Sequence, residues 1–356
     1  MSRKRILILL VILVVFGALV YLQIREWRHF DWEKFLQGSY GLNYWRILAG
    51  IGLVYLADFL RAVRWKVFLR PTLPHASWKG LISPQYVGFA GLALLGRPGE
   101  FVRPYLIARR ENATFESQLA IWFVERAFDT GAMTLILSID IFFVPYMREN
   151  YPEWRIAGYG LIVAFILFSA MLWALAVSGP AIAAWVCRRL QPISSSFATS
   201  FEQRLRAMSS GLNAVRDRMS FVQCSLLSLI IWIVIAFAYR QVTHAYPPST
   251  GIPNLDIPEV ILLMGASIAG GVIQLPVVGG GSQLATIAVL SGTFGYADTP
   301  ELAVSCGILL WLVTFMSVAP LGLALAHYEH LSIRKISKVS EEQAHHRAAS
   351  QPAPPN

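Results

Sequence analysis

Apolar residues in this chain run in long blocks, separated by short basic or proline-rich stretches, instead of alternating with polar ones. A transmembrane helix needs roughly 20 apolar residues in a row. The blocks 6–24, 46–68, 118–145, 156–177, 221–243 and 301–326 meet or approach that length and are predicted as spanning helices. Two further blocks are too short and are broken by glycine and proline. The first, 80–95, stops at Gly96-Arg97-Pro98-Gly99-Glu100 and resumes as a short arm over 99–108. The second, 258–275, breaks at Pro276-Val277-Val278-Gly279-Gly280-Gly281 and resumes over 282–295. Proline removes a backbone donor and interrupts a helix. In lipid, irregular backbone survives only where protein or a water-filled cavity covers it. Each broken block is therefore expected to enter the bilayer and return as a helical hairpin. The predicted fold is all-α: a polytopic membrane protein of about six full transmembrane helices plus two opposed re-entrant hairpins, like an inverted-repeat transporter.

Composition supports the membrane assignment. Of 356 residues, 55% are hydrophobic and 14% charged, with mean hydropathy +0.52. Soluble domains are about a quarter charged. A single membrane domain over 1–340 is expected, followed by a disordered cytoplasmic tail, 341–356, poor in apolar residues. Ser2-Arg3-Lys4-Arg5 precedes the 6–24 block, which lacks an A-x-A cleavage site and reads as an uncleaved anchor with a cytoplasmic N-terminus. Residues 25–45 form a Trp/Tyr-rich interfacial loop, and 180–220 an arginine-rich amphipathic segment.

The net charge of +9 lies beside apolar blocks, which points to orientation and anionic lipid and not to nucleic acid. It also decides the topology. If each broken block crossed the membrane once, arginine-rich 188–218 would face outside, against the positive-inside rule. If each goes in and returns, the basic clusters 3–5, 61–79, 109–110, 188–218 and 334–338 share one side. The loops 244–257 and 296–300, free of Lys and Arg, share the other. Both termini are then cytoplasmic in a multi-pass protein of the cell membrane, of the bacterial inner-membrane kind. Arg61, Arg64, Lys66 and Arg70 are expected to form the basic cytoplasmic edge of the 46–68 helix. The two hairpins enter from opposite faces, the sequence pointer to a transporter with a midplane site, although the halves share no residue-level identity.

The candidate chemistry lies in these breaks and in the charged 118–145 block. Arg97, Glu100 and Arg103 sit on the first hairpin, and Glu125, Arg126 and Asp129 within a span. Ionisable groups at that depth are candidates for function. Helical rise brings Arg97 or Arg103 to the depth of Glu125, and Arg126 is spaced to pair with Asp129. Two readings stay open. The charges neutralise one another and fix the packing, or the arginines and the free amides of the return arm hold an anionic headgroup. General acid–base work by Glu100 or Glu125 is a third. On the second hairpin Gln274, Gly279, Gly280, Gly281, Ser282 and Gln283 offer exposed backbone and neutral hydrogen-bonding groups. No Lys-Ser/Thr follows the glycines, so this is not a nucleotide-binding P-loop. Asp58 and Arg61 read as a local pair. Cys187, Cys224 and Cys306 lack metal-ligand spacing, and no cofactor is expected.

Gly96–Arg109, the segment Val124-Glu125-Arg126-Ala127-Phe128-Asp129, and Leu275-Pro276 with Gly279-Gly280-Gly281 together resemble the lysylphosphatidylglycerol synthase transmembrane family over about 46–326. The third motif departs: where the family has an Arg-Glu pair after its glycines, this chain has Gly281-Ser282-Gln283. The resemblance implies a flippase-like membrane domain without the aminoacyltransferase domain of the full synthases. Its implied cargo is an anionic or aminoacylated phospholipid, or a polyprenyl-phosphate-linked sugar. The alternatives are a membrane-embedded glycosyl or acyl transferase, or an accessory subunit recruited to such an enzyme through 180–220.

Overall fold

The computed structural model describes residues 39–170, 218–271 and 280–328, together with 33, 36 and 37. The described residues are helical, with no strand among them. The helices are α1 (Tyr44–Leu69), α2 (Trp78–Leu95), α3 (Val102–Arg110), α4 (Phe115–Phe143), α5 (Pro145–Asn150), α6 (Trp154–Ala170), α7 (Arg218–Thr243), α8 (Ile257–Gly270), α9 (Gly280–Gly292) and α10 (Pro300–Thr314). After a 3-10 turn at Met316–Val318, α10 resumes to Tyr328. Each apolar block of the described sequence starts as a helix within a few residues of its expected beginning. The 6–24 anchor, residues 25–32 of the interfacial loop, the end of the 156–177 block, the 180–220 segment up to 217 and the tail lie outside the described residues.

Helix ends follow local chemistry. The Asn43 side chain accepts from the backbone N–H of Trp45 and Arg46, and Thr114 caps α4 through Ser117 N–H. Asp256 and Glu259 form a capping box on α8. The interruption in α10, predicted as one continuous span, has a covalent cause. Pro320 has no N–H for the Met316 carbonyl and its ring crowds that carbonyl, so the turn there tightens to 3-10. Tyr55 of α1 donates to the adjacent Ser317 carbonyl (2.8 Å), and Tyr86 of α2 donates to the Tyr55 carbonyl (2.9 Å).

Helix directions can be read from paired residues. Gly50 lies on Ala238 and Val242 of α7, while Arg64 reaches Ser228 and Arg70 reaches Gln223, so α1 and α7 are antiparallel. Gly50 also meets Val313 and Tyr55 meets Ser317, so α10 runs with α1. The Phe128 ring meets Phe221 near the start of α7. Further along α4, Leu137 packs on Gly265 of α8, whose Ser267 receives the Tyr239 hydroxyl. Hence α4 runs with α7 and against α1.

Both broken blocks fold back as helical hairpins. A Cβ on Gly99 would lie 2.0 Å from the Gly91 carbonyl oxygen, and one on Gly88 2.5 Å from Arg103 Cβ. The two arms of α2–α3 touch backbone to backbone, which only glycine permits. In α8–α9 a Cβ on Gly270 would lie 2.2 Å from the Gly281 oxygen, and Ser267 and Ser282 share a 2.7 Å hydrogen bond.

Outward positions are apolar. On α7, Met219, Val222, Leu226, Ile230, Ile233 and Phe237 are exposed at steps of three and four residues, opposite a buried stripe including Cys224, Ile231, Ile235 and Val242. An exposed apolar stripe along a whole helix marks an interaction with lipid or another apolar surface. Helices α7 and α10 (to Tyr328) are long and apolar enough to cross a bilayer. Helices α1 and α4, 26 and 29 residues long, have the length and carry buried charge.

Candidate functional site

Charged residues from α1, α3 and α4 converge on one buried cluster. Asp58, Arg61, Arg64, Trp65 and Phe68 follow one another on α1 at helical spacing and face inward. Glu125 and Asp129, four residues apart, share the facing side of α4. Gly88 lets α3 approach α2 closely enough to carry Arg103 into the same space.

Arg64 is fully enclosed, with 0% exposure. Its Nη2 donates to Glu125 Oε1 (2.8 Å), and its Nη1 to Asp129 Oδ1 (2.6 Å) and Ser228 Oγ (2.6 Å). Arg103 donates to both oxygens of Glu125, closely to Oε2 and at 3.2 Å to Oε1, and to Gln85 Oε1 (2.9 Å). Its guanidinium lies 4.3 Å from the ring centre of Trp65, whose indole N–H donates to Gln118 (3.2 Å). Arg126 donates to Glu125 Oε2 (3.3 Å) and comes within 3.1 Å of Asp129 Oδ2, an ion pair without hydrogen-bond geometry. Two enclosed guanidiniums thus face two enclosed carboxylates. This compensation is what lets charge exist there, because removing an ion from water costs several kcal/mol unless it is paired and hydrogen-bonded.

Arg126 differs from the rest. Its side chain is 33% exposed and lies 6.0 Å from the Trp122 ring centre. Trp122 in turn meets half-exposed Phe101 on the turn between the first hairpin's arms (5.8 Å). Among the described residues of the cluster Arg126 is the most exposed, and it lies at this aromatic edge. About one turn before Arg64 on α1, Arg61 pairs with Asp58 (2.9 Å) and lies over Phe89 (4.9 Å) and Trp232 (5.8 Å).

Of the sequence candidates, Arg103, Glu125, Arg126 and Asp129 come together, with the expected Arg103–Glu125 and Arg126–Asp129 pairs both present. Glu100 lies on the 3-10 turn Arg97–Phe101, half-buried. The Arg97 side chain, Gln274 and Gly279 lie outside what the structure describes. Gly280 and Gly281 open α9, Gly280 at φ +47°. Ser282 is buried against Ser267, which takes the Tyr239 hydroxyl (2.9 Å), and Gln283 is half-buried. Among the described residues this neutral set belongs to the packing of α7, α8 and α9.

Sequence reading missed Arg64 and assigned Arg61 and Arg64 to a basic edge. The structure corrects both. They fall on the inner stripe of α1 and are buried, while exposed Arg70 and half-buried Lys66 remain for the edge. The spacing from Asp58 through Arg61, Arg64, Trp65 and Phe68 carried that signal. Gln85 and Ser228, neutral residues in apolar helices, carried none.

Similarity searches agree with this architecture. The chain matches the family described as lysylphosphatidylglycerol synthase TM region over residues 6–329, beginning earlier than the 46–326 that its motifs delimit. It is 24% identical over 301 residues to a UPF0104 membrane protein of Methanothermobacter thermautotrophicus, covering 79% of this chain and 85% of that one. No solved structure matches it. With its model matched across nearly the full length, the chain belongs to the lysylphosphatidylglycerol synthase TM region family and is a helical membrane protein.

Proposed function

We propose that this protein is a lipid flippase-like transporter, with two re-entrant hairpins entering from opposite faces and an anionic lipid headgroup handled at the Arg126 edge of the cluster. Helix direction supports re-entrance. Because α1 and α4 run oppositely, the α2–α3 hairpin between them begins and ends on one side. A single crossing there would make α1 and α4 parallel. The same reasoning applies to α8–α9 between antiparallel α7 and α10. With both termini cytoplasmic, the basic segments fall inside, as the positive-inside rule requires.

The observation that carries the headgroup reading is the exposure of Arg126. It is part of a compensated network yet its side chain stays 33% exposed, the most accessible guanidinium among the described residues of the cluster, beside the aromatic pair Trp122 and Phe101. A guanidinium fork suits a phosphodiester, while acyl chains stay against the apolar outer faces. Anionic or aminoacylated phospholipids and polyprenyl-phosphate-linked sugars all carry a phosphate that such a fork can bind. A transferase would need a base free to take a proton, whereas Glu125 and Asp129 are both engaged by guanidiniums. Proteoliposomes with a fluorescent anionic phospholipid test the reading. Wild type moves the lipid between leaflets, and Arg126→Gln slows it about tenfold, the loss of roughly 1.4 kcal/mol of charge-assisted binding. Absence of movement by wild type, or equal rates in the two proteins, removes it.

A further inference from the structure

Helix α4 buries a third acid that the cluster does not use. Asp140 lies 11 residues beyond Asp129, about three turns on the same face, and is 2% exposed. Its Oδ2 has no hydrogen-bond partner, and no Lys, Arg or His among the described residues forms an ion pair with it. The charged group acting on it is another acid, Glu259 at the start of α8. Glu259 is well solvated by protein. Its Oε1 accepts from the hydroxyls of Tyr146 (3.0 Å) and Tyr151 (2.9 Å), and its Oε2 from the backbone N–H of Asp256 (2.8 Å). Three donors thus meet the Glu259 carboxyl group. Asp140 has no such donors and a negative neighbour, and an unpaired buried charge is what proteins avoid by taking up a proton.

Among the described residues, the elements around Asp140 bring no compensating cation. Helix α5 and the residue after it contribute Tyr146 and Tyr151, α6 contributes Tyr159 against Phe142, and α8 contributes Glu259 with Asp256 at its cap. Arg148 and Arg155 lie nearby in sequence, Arg155 donating to the Arg148 carbonyl (3.5 Å). The interface under Asp140 is tight: a Cβ on Gly265 of α8 would lie 2.8 Å from Leu137.

We propose that Asp140 is a proton-binding site whose occupancy governs the seating of the second hairpin on α4. With the proton bound, α8 rests on α4. With the proton released to water, two carboxylates oppose each other across that interface and α8 is driven off. Resting on the transport reading above, this makes a proton the coupling ion.

Infrared difference spectroscopy of the purified full chain in nanodiscs tests the site without any transport. The expected result at neutral pH is a protonated-carboxyl C=O stretch that shifts in D2O and is missing in Asp140→Asn. No such band lost with the substitution overturns the proposal. So does failure of Asp140→Asn to fold, since the amide is the nearest uncharged mimic of the protonated acid, while Asp140→Glu should keep a protonated-carboxyl band. The coupling is read in proteoliposomes under an imposed pH gradient, where wild-type lipid movement responds and Asp140→Asn does not. A response that persists in Asp140→Asn overturns the coupling. Wild type that moves no lipid strikes the transport reading and leaves the infrared result standing.

Discussion

Replacing Arg64 with methionine removes a charge while keeping an unbranched side chain of similar length, so the loss falls on the network and not on packing volume. Arg64 serves Glu125, Asp129 and Ser228 at once. After its removal Glu125 still has Arg103 on both oxygens and Arg126 on one. Asp129 keeps only the off-angle approach of Arg126. The damage therefore concentrates on one carboxylate. Breaking a buried pair by removing one partner costs about 3–5 kcal/mol, and Arg64→Met should sit near the upper end.

A second substitution separates lost attraction from stranded charge. Arg64→Met with Asp129→Asn removes the orphaned carboxylate, and should recover about 2 kcal/mol or more of the loss, since stranding is what makes one-sided removal costly. The assay is unfolding in mixed micelles followed by helical circular dichroism, with the double-mutant cycle completed by Asp129→Asn alone. Arg126→Gln is the comparator: at 33% exposure its pairs are partly screened and should cost about 1 kcal/mol or less. If Arg64→Met cost no more than Arg126→Gln, or the second substitution recovered nothing, the cluster would not be the compensated unit its geometry implies.

Two further outcomes follow from other contacts. Gly270→Ala should destabilise by about 3 kcal/mol or more through overpacking, because its Cβ would meet the Gly281 oxygen at 2.2 Å, whereas Gly52→Ala, with open space around it, should be neutral or slightly stabilising; thermal midpoints in detergent compare them. Burial and the hydrogen bond to Glu259 hold the Tyr151 phenol well above its ordinary range, in the loop after α5. A raised folded-state value contributes stability that is complete below about pH 10, the unfolded tyrosine value, and is lost as pH rises beyond it. Tyr151→Phe should be less stable than wild type at neutral pH, with the gap narrowing above pH 10 in an alkaline unfolding series.

Element existence was legible because length and apolarity set it: the α1, α7 and α10 blocks needed only counting, and the α2–α3 and α8–α9 breaks were announced by Gly and Pro. The interruption after α10 had an equally plain signal in Pro320, overlooked inside a long apolar run. The Arg103–Glu125 contact followed from depth arithmetic along two helices. Arg64 required a different step, taking the phase of α1 seriously where basic residues crowd near its end. Lys66 and Arg70 do lie at a helix edge, and Arg64, between them and Asp58, belongs to the inner stripe. Gln85, Ser228 and Trp65 reach the cluster through helix crossings that no local pattern encodes.

The origin of each charge connects the fold to its proposed work. Glu125, Arg126 and Asp129 come from α4 and Arg64 from α1, helices long enough to be fixed in a bilayer, while Arg103 comes from the nine-residue α3. Its hold on the longer helices is Glu125 of α4 on one side and Trp65 of α1 on the other, while Gln85 belongs to its own hairpin. A hairpin that shifts must therefore take Arg103 away from Glu125, and Glu125 then depends on Arg64 and Arg126. A phosphate binding Arg126 draws on the same fork. In the transport reading, headgroup binding and hairpin position are opposed through a single carboxylate, and Glu125 is where the two compete.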